Sequence, residues 1–299
     1  MQSPSSAFDP VARTYDTSFT QSVTGSLQRN RVWKYLDTLS MEGSQNKVLE
    51  LNCGTGEDAV WLCKKGFIVT AIDLSAEMLA IAEGKRKNIS NNNLQFIKCD
   101  MREIAGHFSP NKFDFIFSDF GGLNCLNEPE IRKLSSDLQG LLKPGGNLVI
   151  VLMSRSCLWE RFYFFAKGKF KQAFRRKNRN GLDVQLGNSI QKTFYYSPSD
   201  FMELLGSGWT KIKQRPIGLF LPPSYLDAYF IKHPVQLKIL ERLERMFGSF
   251  GWLSDTADHY LIHCRRDIPP DPPDYKIQNR IIKSISGKNN LRIPEYTNC

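Results

Sequence analysis

Residues 50–59 read ELNCGTGEDA, from Glu50 to Ala59. The stretch closes an apolar run, KVLEL, with Gly54 and Gly56, then enters a segment of helical spacing, GEDAVWLCKKG. A dinucleotide loop usually reads G-x-G-x-x-G after a strand. Here Asn52 holds the first glycine slot and Ala59 the last. Strand, turn and helix in this order bring backbone close to a ligand at the carboxyl end of a parallel strand. Asn52 is compatible with that turn, because Asn enters left-handed conformations more readily than most non-glycine residues. Glycines also simply make turns, so the loop alone names no ligand.

The flanking segments decide the architecture. FIVTAID reads as a strand ending at Asp73, followed by a helix, SAEMLAIAEGKRKNI, with Ser75 as its cap. LQFIKCD and FDFIFSDF are further strands, EPEIRKLSSDLQGLL a helix stopped by KPGG, and NLVIVLM a fifth strand. Strands alternating with helices at this spacing predict a parallel sheet wound on both faces. Upstream, SLQRNRVWKYLDTL has helical spacing. Downstream, SIQKTFYY, WTKIKQRPIGLF and DHYLIHCRR read as strands, SPSDFMELLGSG as a helix, and 221–252 as helical with a break at Pro234. The predicted division is an N-terminal helical cap 1–45, a cofactor-binding core 46–153, the rest of the sheet with insertions 155–180 and 221–252 over 154–266, and a tail 267–299.

Composition narrows the class. The 299 residues are 41% hydrophobic, enough for a sizeable core. No run approaches the roughly 18–20 apolar residues of a membrane span, and no basic and apolar leader opens the chain, so a cytoplasmic location is expected. The seven cysteines form no C-x-x-C pair and read as buried reduced thiols, with no metal site. The net charge of +10 is uneven: residues 155–180 carry nine Lys and Arg against Glu160 alone, interleaved with aromatics such as Trp159, Phe162 and Phe170. That composition suits an anionic acceptor, an anionic bilayer or RNA, and equally a helix with a solvated basic face.

The ligand is narrowed by charge. A pyrophosphate needs a helix N-terminus free of negative charge, whereas this helix opens with Glu57 and Asp58. Such a start suits a cationic centre. Asp73 lies 17 residues beyond Gly56, where a carboxylate accepts ribose hydroxyls, with helix capping as the competing role. Asp100 closes the third strand, placed for an adenine amino group, and Met101 for its ring. These features favour an adenosine carrying a sulfonium amino acid over NAD.

At these residues the chain resembles the class I S-adenosylmethionine-dependent methyltransferases of small-molecule type. VLELNCGTGEDAVWL, VTAIDLSAEML, LQFIKCDMREI, FDFIFSDFGGLNCL and LLKPGGNLVIVL look like their successive motifs over residues 46–153, and FDPVARTYD is similar to their leader. The family usually has Gly at position 52. The resemblance implies an α/β fold: a Rossmann-like, doubly wound, mostly parallel seven-stranded sheet with the last strand antiparallel, plus helical lid insertions. It implies S-adenosylmethionine as cofactor and S-adenosylhomocysteine as product. Glu50 would precede a loop whose backbone, Asn52, Cys53, Gly54 and Gly56 included, lines the methionine part. Asp73 would hold the ribose, Leu74 and Met78 flank the adenine, and Asp100 with Met101 bind its edge. Ser118, Asp119 and Phe120 would face the methyl group and acceptor. Tyr15 would close over the cofactor, and Arg29 pair its carboxylate unless it is a solvated helix arginine.

Methyl transfer chiefly needs alignment, with a base where an O or N nucleophile must lose a proton. Asp119 is the best-placed base. His259 and His233 are alternatives, each competing with a structural role. The expected acceptor is small or lipid-like and anionic, with an anionic membrane surface as a further partner and nucleic acid ranked lower. An RNA methyltransferase and a non-catalytic S-adenosylmethionine-binding protein are the alternatives. An NAD-dependent reductase is disfavoured by the acidic helix start and the lack of a Tyr-x-x-x-Lys pair.

Overall fold

A computed structural model describes residues 6–39, 46–87, 89 and 92–268. Its contacts separate residues 1–267 from a C-terminal segment, 268–299, of which Ile268 alone is described. The expected tail therefore lies almost wholly outside the described residues.

The elements run in chain order as α1 (Ala12–Tyr15), α2 (Val23–Leu36), β1 (Lys47–Leu51), α3 (Glu57–Lys64), β2 (Ile68–Asp73), α4 (Ala76–Arg86), β3 (Leu94–Lys98), β4 (Phe113–Ser118), α5 (Glu128–Leu141) and β5 (Leu142–Met153). There follow α6 (Leu158–Ala166), α7 (Phe170–Ala173), β6 (Leu182–Leu186), β7 (Ser189–Thr193), α8 (Pro198–Leu205), β8 (Trp209–Ile217), α9 (Asp227–Ile231), α10 (Pro234–Phe247) and β9 (His259–Arg266). Seven strands form one sheet in the order β3-β2-β1-β4-β5-β9-β8. The pairs among β1 to β5 are parallel, and β9 runs antiparallel to both neighbours. The expected sheet is thus present, and its final strand is antiparallel.

Local chemistry sets the helix starts. Ser75 is the cap of α4, its side chain accepting the Met78 N–H. Asn127 and Ser197 each build a reciprocal capping box, with Glu130 and Asp200, ahead of Pro at N1 or N2. α5 then lays Ile131, Leu134, Leu138 and Leu141 on one face of the sheet with α8. Each such residue stabilises the fold by about 1.5–3 kcal/mol. Residues of α2, α3 and α4 cover the other face around Val48, Phe115 and Phe117. With both faces covered, β1 and β4 read as apolar runs without alternation.

Two expectations change. SIQKTFYY supplies β7, which belongs not to the main sheet but to a separate hairpin with β6. The basic segment 155–180 is also less free than its composition suggests. The Arg176 side chain is buried, donates to Glu160 at 2.8 Å and Asp258 at 2.9 Å, and lies over the Tyr195 ring. Arg175 donates to the other Glu160 oxygen at 2.7 Å. The segment therefore clamps the end of β5 to the start of β9.

Arg176→Ala should cost about 3–5 kcal/mol in denaturant unfolding, because it removes the buried guanidinium shared by Glu160 and Asp258 and leaves each with a single partner, Arg175 and His259. Burial alone would raise the Asp258 pKa, but His259 and Arg176 together hold it well below the carboxylate range. A depressed folded pKa contributes stability that is present above the unfolded value, about 3.9, and is lost as pH falls below it. The wild-type acid limb should therefore be steeper below about pH 4 than that of the variant; parallel limbs would contradict the clamp.

Candidate cofactor and acceptor site

The strand order reverses between β1 and β4, with β2 and β3 on one side and β5 on the other. Ligands of open α/β sheets bind at the carboxyl ends of strands at such a point. A cavity of about 350 Å³ opens there. One half is lined by Gly54, Asp73, Leu74, Met78, Asp100 and Met101, so the ribose and adenine residues expected from the sequence share one wall.

Asp73 accepts the N–H groups of Gly54 and Ser75, both at 2.8 Å. Burial raises its pKa, and those N–H bonds oppose the rise. It holds the turn through these bonds while Ser75 caps α4, and its carboxylate keeps further lone pairs toward the cavity. Asp100 is bound by the Arg102 guanidinium, which offsets the effect of burial and lowers its pKa.

A small pocket of about 30 Å³ adjoins, lined by Tyr15, Arg29, Glu50, Cys53, Asp58 and Asp119 among others. Arg29 is not a solvated helix arginine. It is buried and paired with Asp58, and although burial disfavours its charge, Asp58 and Asp119 raise its pKa. Glu50 and Asp119 are raised well above the carboxylate range, first by burial and then by Asp58. Burial likewise pushes the Tyr15 hydroxyl up to about 12. Among the described residues, Arg29 Nε, Glu50 Oε2 and Asp119 Oδ2 are buried without a hydrogen-bond partner. Two acceptors and a donor left open in one pocket match the ammonium and carboxylate of an amino acid. The residues thus fit the methionine end of S-adenosylmethionine.

Asn52 and Phe120 end β1 and β4 at φ 46° and 42°, in the left-handed region. The Asn52 side chain spans the crevice: Nδ2 donates to the Asp119 carbonyl at 3.1 Å, and Oδ1 accepts from Ser118 Oγ at 2.7 Å. Ser118 therefore faces Asn52 and does not line the cavity, a correction to its expected place. Gly56 is corrected as well. A Cβ there would meet the Phe96 ring at 2.7 Å and Ala82 at 2.8 Å, so this glycine serves packing of α3 rather than ligand approach. His259, expected as a catalytic alternative, lies behind Phe120, whose ring it meets edge-on at 5.2 Å, and beside Asp258. It lines neither pocket. His233 stacks on Tyr229 and bonds its carbonyl, away from both. Asp119 lines both pockets and remains the described carboxyl placed for proton transfer.

The other half of the cavity is lined by Leu126, Met153, Val184, Leu186, Thr193 and Tyr195. Among the described residues, none of 155–180 or 221–252 lines it. The cover expected from those insertions is supplied by the β6–β7 hairpin and the N-terminal segment. At the hairpin turn, a Cβ on Gly187 would stand 3.1 Å from Pro10. The N-terminal segment is pinned across the opening by Ser75 to Asp9 at 2.5 Å, Thr55 to Asp16 at 2.6 Å and Lys85 to Asp16 at 2.8 Å. Sequence reasoning missed Ser6 and Phe8, which also line the cavity, and β6. The signal for β6 is LDVQLGNSIQKT, two alternating runs around Gly-Asn.

Comparison with known proteins agrees with this geometry. Residues 48–146 match the family model described as a methyltransferase domain. Over these residues, a third of the chain, the protein is similar to the methyltransferase domain family. A protein of Geobacillus sp. (strain WCH70) named as a methyltransferase is 39% identical over 40% of this chain and 46% of its own length. A demethylmenaquinone methyltransferase of Clavibacter sepedonicus is 30% identical over 49% of this chain and 56% of its own. The chain thus spans about half the length of these curated relatives. The PH0226 protein of Pyrococcus horikoshii OT3 shares the fold, with TM-score 0.57 and 16% identity over 87% of this chain and all of that one.

A Cβ on Gly122 would fall 2.0 Å from Asn52 Cγ. Gly122→Ala should therefore destabilise by about 1–3 kcal/mol. Asn52→Gly should cost about 1–2 kcal/mol through its two lost hydrogen bonds. The double variant should recover most of the Gly122→Ala loss, a coupling that urea unfolding reads directly. Strictly additive losses would contradict the bridge between the two loops.

Proposed function

We propose that the protein transfers a methyl group from S-adenosylmethionine to a small, lipid-like acceptor whose body is apolar and whose reacting atom is the oxygen or nitrogen of an uncharged hydroxyl or amine. The observation that carries this reading is the acceptor half of the cavity. Its described lining is mostly aliphatic, sulfur-bearing and aromatic, with Gln191 and Thr193 as uncharged polar members; the cation of the cavity, Arg102, lies on the adenosine side, bound by Asp100. An anionic reacting end is not part of the reading: Arg175 and Arg176 are neutralised by Glu160 and Asp258, and no residue of 155–180 lines the cavity. Curated relatives are named for different acceptors, among them demethylmenaquinone, a malonyl-[acyl-carrier protein] and tRNA 5-carboxymethoxyuridine. Their names do not choose between acceptors, and the cavity lining favours the apolar one.

S-adenosylmethionine supplies a methyl group already activated on a sulfonium, so the chain's task is alignment and exclusion of water. Asp73, Asp100 and Met101 orient the adenosine, while Arg29, Glu50 and Asp119 meet the amino acid end. Tyr15, Phe8 and the hairpin shield the opening. With Arg29 and the cofactor's cationic end beside it opposing the effect of burial, Asp119 is held ionised and takes the proton of a hydroxyl or amine as that oxygen or nitrogen bonds the methyl group and the sulfonium leaves as a neutral thioether.

With methyl-labelled S-adenosylmethionine and a total cell extract divided into lipid and RNA fractions, label should enter the organic phase. Val184→Asp on the hairpin should cut that transfer by at least about tenfold while cofactor affinity holds, because it buries an unpaired charge at the acceptor wall. Label confined to RNA would overturn the reading.

A further inference from the structure

The insertions that fail to line the cavity present an unusual surface. α6 and α7 hold Phe162 and Phe170 at 67% and 63% exposure, with Phe165 and Phe174 also exposed. These rings pack on one another, Phe165 to Phe170 at 5.8 Å and to Phe174 at 5.7 Å, rather than into the core. α6 meets α9 through Trp159 and Phe230. α9 exposes Ile231 at its end, α10 exposes Val235, Ile239 and Met246 at helical spacing, and Trp252 beyond them is 79% exposed. Soluble chains rarely leave so much contiguous apolar surface open without a partner.

Charge selects the partner. Residues 161–180 contain eight Lys and Arg and no acid. After Arg175 and Arg176 are taken up by Glu160, Lys169, Lys171 and Arg179 remain exposed with no ion pair among the described residues. We propose that the α6–α7 aromatic face, continued by α9–α10, docks on an anionic lipid surface, with the phenylalanines inserting at the headgroup boundary and the lysines pairing lipid phosphates. A basic rim around an aromatic and aliphatic face is the composition of interfacial helices. Nucleic acid fits less well, because the exposed rings of α6 and α7 pack on one another and the face is continued by aliphatic Ile231, Val235, Ile239 and Met246, on which no base stacks. The face adjoins the acceptor wall: Arg176 of the same segment lies over Tyr195, which lines the cavity. The surface itself stands apart from the proposed chemistry, and rests on it only for its purpose, access to a lipid-like acceptor.

The test is co-sedimentation of the full chain with phosphatidylcholine vesicles, with and without phosphatidylglycerol, alongside titration of S-adenosylhomocysteine. The chain should bind the anionic vesicles and not the neutral ones. Phe162→Ser with Phe170→Ser, and separately Lys169→Ala with Lys171→Ala, should each weaken vesicle binding on the order of tenfold. Both pairs are exposed, and both variants should keep the wild-type affinity for S-adenosylhomocysteine. No binding to anionic vesicles would overturn the surface, as would phenylalanine variants that bind like wild type. Binding of an RNA oligonucleotide lost in both variants, without vesicle binding, would assign the face to nucleic acid instead. A wild-type dimer that the phenylalanine variants dissolve, again without vesicle binding, would assign it to a second copy. Failure to bind S-adenosylhomocysteine would remove the proposed function and leave the vesicle result standing.

Discussion

Glu50, Asp58 and Asp119 stand around the buried guanidinium of Arg29, and the site depends on that imbalance of charge. A buried carboxyl without a partner either takes up a proton or waits for a cation. Glu50 and Asp119 respond by rising in pKa, first through burial and then through Asp58. The arrangement is poorly suited to a pyrophosphate, which would add charge of the same sign. It suits a ligand with an ammonium group, a sulfonium and one carboxylate, for which Arg29 keeps a free donor.

The loops that surround this cluster are held by short-range geometry. Two non-glycine residues in the left-handed region, Asn52 and Phe120, close the paired strands β1 and β4. Such backbone persists where neighbouring contacts over-determine it. Here the Asn52 side chain supplies two of those contacts and occupies the space beside Gly122. An asparagine in a slot the family usually gives to glycine thus becomes a brace between the two loops. Phe120 then packs between Phe19 and His259, linking the N-terminal cover to the end of β9.

How much of this was legible depended on the range of the signal. The core read well because β1, β2, β4 and β5 are apolar runs each followed by a helix, and Ser75 and Asn127 mark the starts of α4 and α5 as side-chain caps. Asp73, Asp100 and Asp119 read well because each sits at or just beyond a strand end, where topology converges. The cover read poorly. Residues 155–180 and 221–252 looked like a lid by composition, but Glu160 and Asp258 draw Arg176 into the fold, and that pairing spans more than eighty residues of sequence. The hairpin has short, weakly apolar strands and was half missed. His259 looked chemical at the start of a strand, yet Phe120 stands between it and the cavity, which no local pattern encodes.

Function follows from the division between these parts. One wall of the cavity is built from strand ends and reads as a cofactor site; the other joins Leu126 and Met153 to the hairpin and is mostly apolar, with Gln191 and Thr193 among its uncharged polar members. The most direct measurement is calorimetric titration of the full chain with S-adenosylmethionine, S-adenosylhomocysteine and NAD, repeated on Asp73→Asn. The account predicts binding of the first two and none of NAD, with affinity falling by more than about tenfold in the variant, as loss of a charged hydrogen-bond acceptor implies. Binding of NAD alone, or affinity indifferent to Asp73, would contradict it.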